Sequence, residues 1–183
     1  MDSTLTLRIW STVQSVFGGP RGHTCDLMTL DSNAQRNTNG IPLPHIAPVP
    51  TPQAMGANLF TQDIAWVKGS VLESCYVFPP FLLIGSVLKF FRERKARCTI
   101  VVPDRYPRPY WWPILQSECS LQLRLARQGD VGVLLHPAKD GFVDYGPIPW
   151  DLWAFRVCFD CGQSCVLKES EEEKCGKWNP SCL

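Results

Sequence analysis

Tyr76-Val77-Phe78-Pro79-Pro80-Phe81 runs directly into a helix-forming stretch and then into Cys98-Thr99-Ile100-Val101-Val102, and this passage decides the fold. Tyr76 to Phe78 reads as the end of a strand. Pro79-Pro80 is a stiff turn, because each proline fixes φ and removes a backbone donor. Over 82–97, Ile84, Val87, Leu88 and Phe91 share one face while Lys89, Arg92 and Arg94 lie elsewhere, the pattern of an amphipathic helix. The apolar run 98–102 has the continuous character of a buried parallel strand, with Pro103 expected to end it. Strand, helix and strand in that space make a βαβ unit with a right-handed crossover. The chain is therefore expected to be an α/β protein, a Rossmann-like sheet with flanking helices.

Working outward, Leu5, Ile9, Val13, Val16 and Phe17 recur at helical spacing and Gly18-Gly19-Pro20 stops the run, so 4–17 reads as a helix. Residues 25–30 read as a short strand interrupted by Asp26, followed by a polar loop over 31–40. Pro42, Pro44, Pro48, Pro50 and Pro52 make 41–53 an extended surface connection rather than a helix or a central strand. Strands are expected over 121–125 and 131–135, with a turn at Arg127-Gln128-Gly129-Asp130 between them. A final strand or edge element covers 150–159. One domain over 1–159 and a cysteine- and glutamate-containing tail over 160–183 complete the division.

Composition narrows the function classes. The 183 residues are 45% hydrophobic and 19% charged, enough apolar material for a real core. A net charge of +1 gives no general pull toward nucleic acid or anionic membrane, so any such surface must be local. The first 14 residues alternate polar and apolar side chains, unlike a signal peptide. The longest apolar run, 78–84, contains two prolines and is too short to cross a bilayer. An intracellular protein without membrane contact is expected. The 9 cysteines are odd in number and scattered, which speaks against a secreted disulfide framework.

In an open α/β sheet, ligands sit at the carboxyl ends of the strands. Pro79-Pro80 there forms a rigid shelf, and Phe81 offers a flat face suited to stacking an extruded base; the plainer reading is a core phenylalanine beside a stiff loop. Phe78-Pro79-Pro80-Phe81 resembles the Asn/Asp-Pro-Pro-aromatic motif of amino-group methyltransferases. Thr24-Cys25-Asp26-Leu27-Met28 with Asn33-Ala34 is similar to the Asp-containing strand of phage-type DNA adenine methyltransferases. Gln62-Asp63-Ile64 with Trp66, then Thr99-Ile100-Val101-Val102-Pro103 and Trp111-Trp112-Pro113, follow in the same order. The wording Phe-Pro-Pro-Phe-Leu-Leu-Ile-Gly and Trp-Trp-Pro-Ile-Leu most resembles the version carried by DIRS-type retroelements behind reverse transcriptase and ribonuclease H. The likeness spans about residues 5 to 115 and weakens beyond.

The resemblance implies a class I methyltransferase-type sheet, with S-adenosylmethionine as cofactor and DNA or RNA as partner. It places Asp26 near the methyl donor and Asp63 near its ribose or adenine. It also implies loss of the reaction. The family's first motif residue accepts a hydrogen bond from the exocyclic amine, and Phe78 has no acceptor. Removing a polar group of that kind costs about 10²–10³ in rate. The glycine-rich loop common in methyltransferases is also missing after Asp26. Asp26 and Asp31 admit a rival use as magnesium ligands of a ribonuclease H fold, but no converging carboxylates accompany them. Loop-capping accounts for Asp26 and Asp63 equally well.

Lys89, Arg92, Arg94, Lys95, Arg97, Arg105 and Arg108, interleaved later with Tyr106, Tyr110, Trp111 and Trp112, could neutralise phosphates and stack bases. A solvated helix face beside a proline-rich loop is the plainer reading. His23, His45 and His136 lack ligand spacing, so no catalytic or metal set is expected from them. Cys158 and Cys161 have zinc-knuckle spacing, but Cys165, Cys175 and Cys182 supply no matching tight pair, and a tail without zinc is expected. Three function classes follow: a methyltransferase-like domain that has lost its chemistry, a non-enzymatic nucleic-acid-binding fragment of a retroelement polyprotein, or a decayed reading frame.

Overall fold

A computed structural model describes residues 3–159. In chain order the elements are β1 (Thr4–Leu5), α1 (Leu7–Phe17), β2 (Cys25–Asp26), β3 (Ile46–Ala47), β4 (Gly56–Ala57), β5 (Cys75–Val77), α2 (Ile84–Glu93) and β6 (Arg97–Asp104). There follow α3 (Trp112–Glu118), β7 (Cys119–Ala126), β8 (Leu134–Ala138), β9 (Gly141–Asp144) and β10 (Asp151–Cys158). Short 3₁₀ turns precede α2 at Phe81–Leu83 and follow β4 at Leu59–Thr61.

The architecture is mixed α/β around a five-stranded sheet in the order β2-β5-β6-β10-β7. β2, β5 and β6 run parallel, while β10 is antiparallel to both β6 and β7. β3 and β4 pair in parallel, and a parallel bridge between Asp26 and His45 joins this pair to β2. Asp26 N donates to the Pro44 carbonyl and Thr29 N to the Ile46 carbonyl across the junction. The row of strands thus reads β4-β3-β2-β5-β6-β10-β7.

Alternation along the strands divides the core between the two faces of the sheet. Cys75, Val77, Cys98, Ile100, Val102, Phe155 and Val157 point one way and pack with Val87, Leu88 and Phe91 of α2 and Leu115 of α3. Tyr76, Val101, Leu152 and Ala154 point the other way and meet Ile9, Trp10, Val13 and Phe17 of α1. Each large apolar side chain fully removed from water contributes about 1.5–3 kcal/mol. A small sheet, β1-β8-β9, lies on the α1 side, where Leu5 and Leu134 join the same cluster.

The βαβ unit at the centre of the sequence is present, with β5 and β6 parallel around α2. Several boundaries differ, each for a local reason. Thr4–Leu5 leaves the first helix to pair with β8, and Thr6 takes the extended cap position before α1. β6 continues through Pro103 to Asp104, because a proline inside the ladder forfeits only its own N–H. β10 lies between β6 and β7, so it is interior rather than an edge. The proline-rich connection is not all surface: its prolines stay exposed, whereas Leu43, His45, Ile46 and Ala47 between them are buried and supply β3. Trp112–Glu118 forms α3 with Pro113 in its first turn, where a missing N–H is harmless. The strand expected at 131–135 begins at Leu134, after the turn in which Asp130 accepts from Arg127 N.

Candidate ligand cavity at the sheet reversal

β2 ends at Asp26 and β5 at Val77, and beyond them the chain departs in opposite directions: toward β3 and β4 on one side, toward α2 and β6 on the other. Divergence of this kind opens a crevice at the carboxyl ends of the strands. A cavity of about 230 Å³ lies there, walled by Leu27, Met28, Leu59, Phe60, Phe78 and Leu83 among apolar groups. Pro80 completes the rim from the Pro-Pro shelf, and Asp26, Thr29, Asn33 and Gln35 supply polar groups.

Asp26 is buried, and loss of solvent pushes its carboxyl up to about 7, against backbone N–H donors from Gln35 and Met28 that favour the charged form. Gln35 N donates to Oδ2 over 3.2 Å. No cation is paired with Asp26 among the described residues; the nearby His45 is committed to Asp31 through Nε2 at 2.7 Å. Thr51 donates to the same Asp31 oxygen at 2.5 Å and, as the leading cause, holds that carboxyl below its ordinary value. The loop after β2 is fixed by Asn33, whose Oδ1 accepts from Thr29 Oγ1 at 2.6 Å and from Leu30 N at 2.7 Å. Gln35 Nε2 donates to Thr4 Oγ1 at 2.8 Å, tying that loop to β1. Tyr76 reaches the same cavity, its buried hydroxyl beside the Gln35 side chain.

The fold brings together Asp26, Phe78 and Pro80 of the residues singled out in the sequence, with Pro79 buried just beneath. It does not bring Asp63 there. That side chain is exposed and accepts from Ala65 N, a turn-capping role. Among the described residues no group of three or more His, Cys, Asp or Glu is arranged to hold a metal ion, so Asp26 and Asp31 belong to no such group. Gln35 went unnoticed in the sequence, and Tyr76 and His45 were not assigned to this site, because Gln35 and His45 come from loops whose return to β2 leaves no periodic mark.

The residues expected to meet nucleic acid do not line the cavity, and Arg92, over the Phe159 ring, lies at the amino end of β6, away from it. Trp111 and Trp112 are core residues, each 3% exposed, and Trp112 packs edge-on against Phe155 with ring centroids 5.6 Å apart. They line no mouth and offer no free stacking face. Arg92 is paired with Glu118 at 3.0 Å, and Arg108 holds both oxygens of Asp104 at 3.1 and 3.3 Å. Lys89 is exposed. Phe81 meets Trp111 edge-on and carries the Arg105 guanidinium over its ring, 4.3 Å from the centroid. Cys158, at the end of β10, is disulfide-bonded, and the other cysteines of the suggested zinc site lie outside the described residues. No helix among the described residues is long and apolar enough to cross a membrane. No protein-family model matches this chain, and no curated protein is significantly similar to it.

Proposed function

We propose that the chain is a retroelement-derived, methyltransferase-like domain that has lost methyl transfer and keeps a cleft for an adenosyl ligand such as S-adenosylmethionine. The observation that carries this reading is the position of the cavity. Counting parallel strands along the chain from β2, the sheet order β4-β3-β2-β5-β6 reads 3-2-1-4-5, and the cavity sits where that order reverses. Nucleotide-type ligands bind at that point in Rossmann-like sheets. The antiparallel β10 between β6 and β7 suits the methyltransferase variant of such a sheet.

The residues present fit such a ligand in part. Phe60 and Leu83 offer apolar walls for a base, and Asp26 and the Asn58 region offer polar groups for the rest. S-adenosylmethionine, when bound, supplies a methyl group activated on a sulfonium centre. This chain supplies little to receive it. Phe78 turns a hydrocarbon ring toward the cavity where the motif requires an acceptor, and Arg105 covers the ring of Phe81 on which a base would stack.

Calorimetric titration with S-adenosylmethionine tests the reading. Saturable 1:1 binding is expected, and filling the cavity with Leu83→Trp should weaken it at least about tenfold, since a blocked site loses its apolar contacts. Methyl transfer to an adenine-containing oligonucleotide should stay undetectable, with Phe78→Asn the variant to examine for revived turnover. No heat from a cooperatively folded sample at millimolar ligand would remove the cleft from the argument. The rival reading as a nucleic-acid-binding segment through Lys89, Arg92, Arg105, Arg108, Trp111 and Trp112 draws less support. The tryptophans are buried and two of the arginines are already paired.

A further inference from the structure

Asp104 and Asp151 face each other at the end of the antiparallel β6–β10 ladder. One step beyond, Arg105 leaves β6 and Trp150 enters β10, so the register sets the two side chains beside one another. The Arg105 guanidinium lies between two rings, 4.3 Å from the centroid of Phe81 and 4.4 Å from that of Trp150. Such a sandwich holds the planar cation in place and strips water from its faces while leaving its edge donors to seek an acceptor.

Those donors find none among the described residues. Arg105 Nε is buried without a hydrogen bond, and so is the adjacent Trp150 Nε1. Arg105 makes no ion pair among the described residues. The two nearest carboxylates in the chain are already taken: Asp104 is gripped by Arg108, and Asp151 accepts from Arg124 Nη1 at 3.3 Å and from Gln128 N at 2.8 Å. Two neighbouring N–H donors withdrawn from water, one of them on a fixed guanidinium, lack only an oxyanion. Unsatisfied buried donors of this kind are uncommon and call for a partner. Planar guanidinium favours oxygens presented in pairs, as on phosphate.

We propose that the Phe81–Arg105–Trp150 stack is a phosphate-binding site, in which the guanidinium edge and the indole N–H donate to the oxygens of one phosphate group. It lies at the end of β6, on the same edge of the sheet as the ligand cavity. Tyr106 and Tyr110 beside it are exposed, which leaves room for what the phosphate is attached to. The site stands independently of the adenosyl-ligand reading, because none of its three residues except Phe81 belongs to the motif and none lines the cavity.

The test is titration of the whole chain, followed by tryptophan fluorescence and calorimetry, with inorganic phosphate in one arm and a short single-stranded oligonucleotide in the other. Saturable binding that weakens with salt is expected, with a change in tryptophan emission as the guanidinium shifts on the Trp150 face. Response to both probes identifies free phosphate as sufficient; response to the oligonucleotide alone assigns the site to a polymer backbone. Arg105→Gln should weaken binding by about tenfold or more, whereas Arg108→Gln, already neutralised by Asp104, should leave it within about twofold. Trp150→Phe keeps the ring beneath the cation and removes one donor, and should cost several-fold, roughly the loss of one hydrogen bond. Silence from both probes, or equal affinity in Arg105→Gln with an unchanged melting curve, overturns the proposal.

Discussion

The cavity between β2 and β5 and the basic-aromatic segment 89–112 were each marked by the sequence as a place for chemistry. They are built on opposite principles. The cavity holds a buried carboxyl with no ion pair among the described residues, beside a buried phenol. The basic segment has discharged most of its signal internally: its tryptophans fill the core, and Arg92 and Arg108 are neutralised by Glu118 and Asp104. Side-chain type alone did not separate them. What separates them is whether each polar group has found its partner inside the fold, and within the basic segment Arg105 Nε and Trp112 Nε1 resemble the cavity in this respect.

The difference can be broken most forcefully at Trp112. If its role is packing against Phe155, Trp112→Ala should cost about 3–5 kcal/mol in chemical denaturation, the usual range for emptying a large aromatic site. A loss below about 1 kcal/mol would return Trp112 to the surface and revive its part in base stacking.

The next largest effect concerns the two buried titratable groups, Asp26 and His23, whose pH dependences oppose each other. Burial raises Asp26 to about 7 from an ordinary 3.8. Between those values the native state keeps a proton the unfolded chain has released, so stability falls as pH rises from about 4 to 7. His23, with Nε2 on Thr99 Oγ1 at 2.9 Å, is lowered by burial, then by Arg156, to about 3 from 6.5. Its unfolded form takes up a proton that the native form refuses, so stability falls as pH drops from 6.5 toward 3. In the parent chain the two slopes partly cancel. Asp26→Asn should therefore gain on the order of 2–4 kcal/mol at pH 8 and expose a monotonic loss on acidification. Denaturant melts at a series of pH values read this directly; an unchanged profile would mean that Asp26 is not held in a dry site.

The smallest effect is expected at Arg108. Its pair with Asp104 is more than half exposed on the arginine side, so Arg108→Ala should change stability by less than about 1 kcal/mol, and less still in high salt. A larger loss would show that the stack over Trp112, 4.8 Å from guanidinium to ring centroid, contributes more than the ion pair.

Much of the fold was legible because periodicity is a local property. Ile84, Val87, Leu88 and Phe91 face one way in any helix of that sequence, and 98–102 is apolar on both sides because a strand buried on both faces must be. The reading stopped where pairing is long-range. Ile46 and Ala47, two residues amid prolines, become a strand only because β2 and β4 come alongside. The candidate site was half visible. Asp26, Phe78 and Pro80, singled out for their place at strand ends, line the cavity, whereas Asp63 accepts from Ala65 N in its own turn. An acidic residue after a turn looks the same whether it faces a ligand or caps its own loop.

The sequence by itself determined the central βαβ unit, the stiff Pro-Pro turn at its carboxyl edge and the absence of any acceptor at Phe78. Each of these is fixed by covalent chemistry or by the spacing of near neighbours. Only the tertiary structure decided that Asp26 sits dry and without a cation, that Trp111 and Trp112 are core, and that Arg105 meets Trp150 with its donors unclaimed. Solvation and partnership depend on residues far apart in the chain, and these become neighbours only when the sheet has set its order and register.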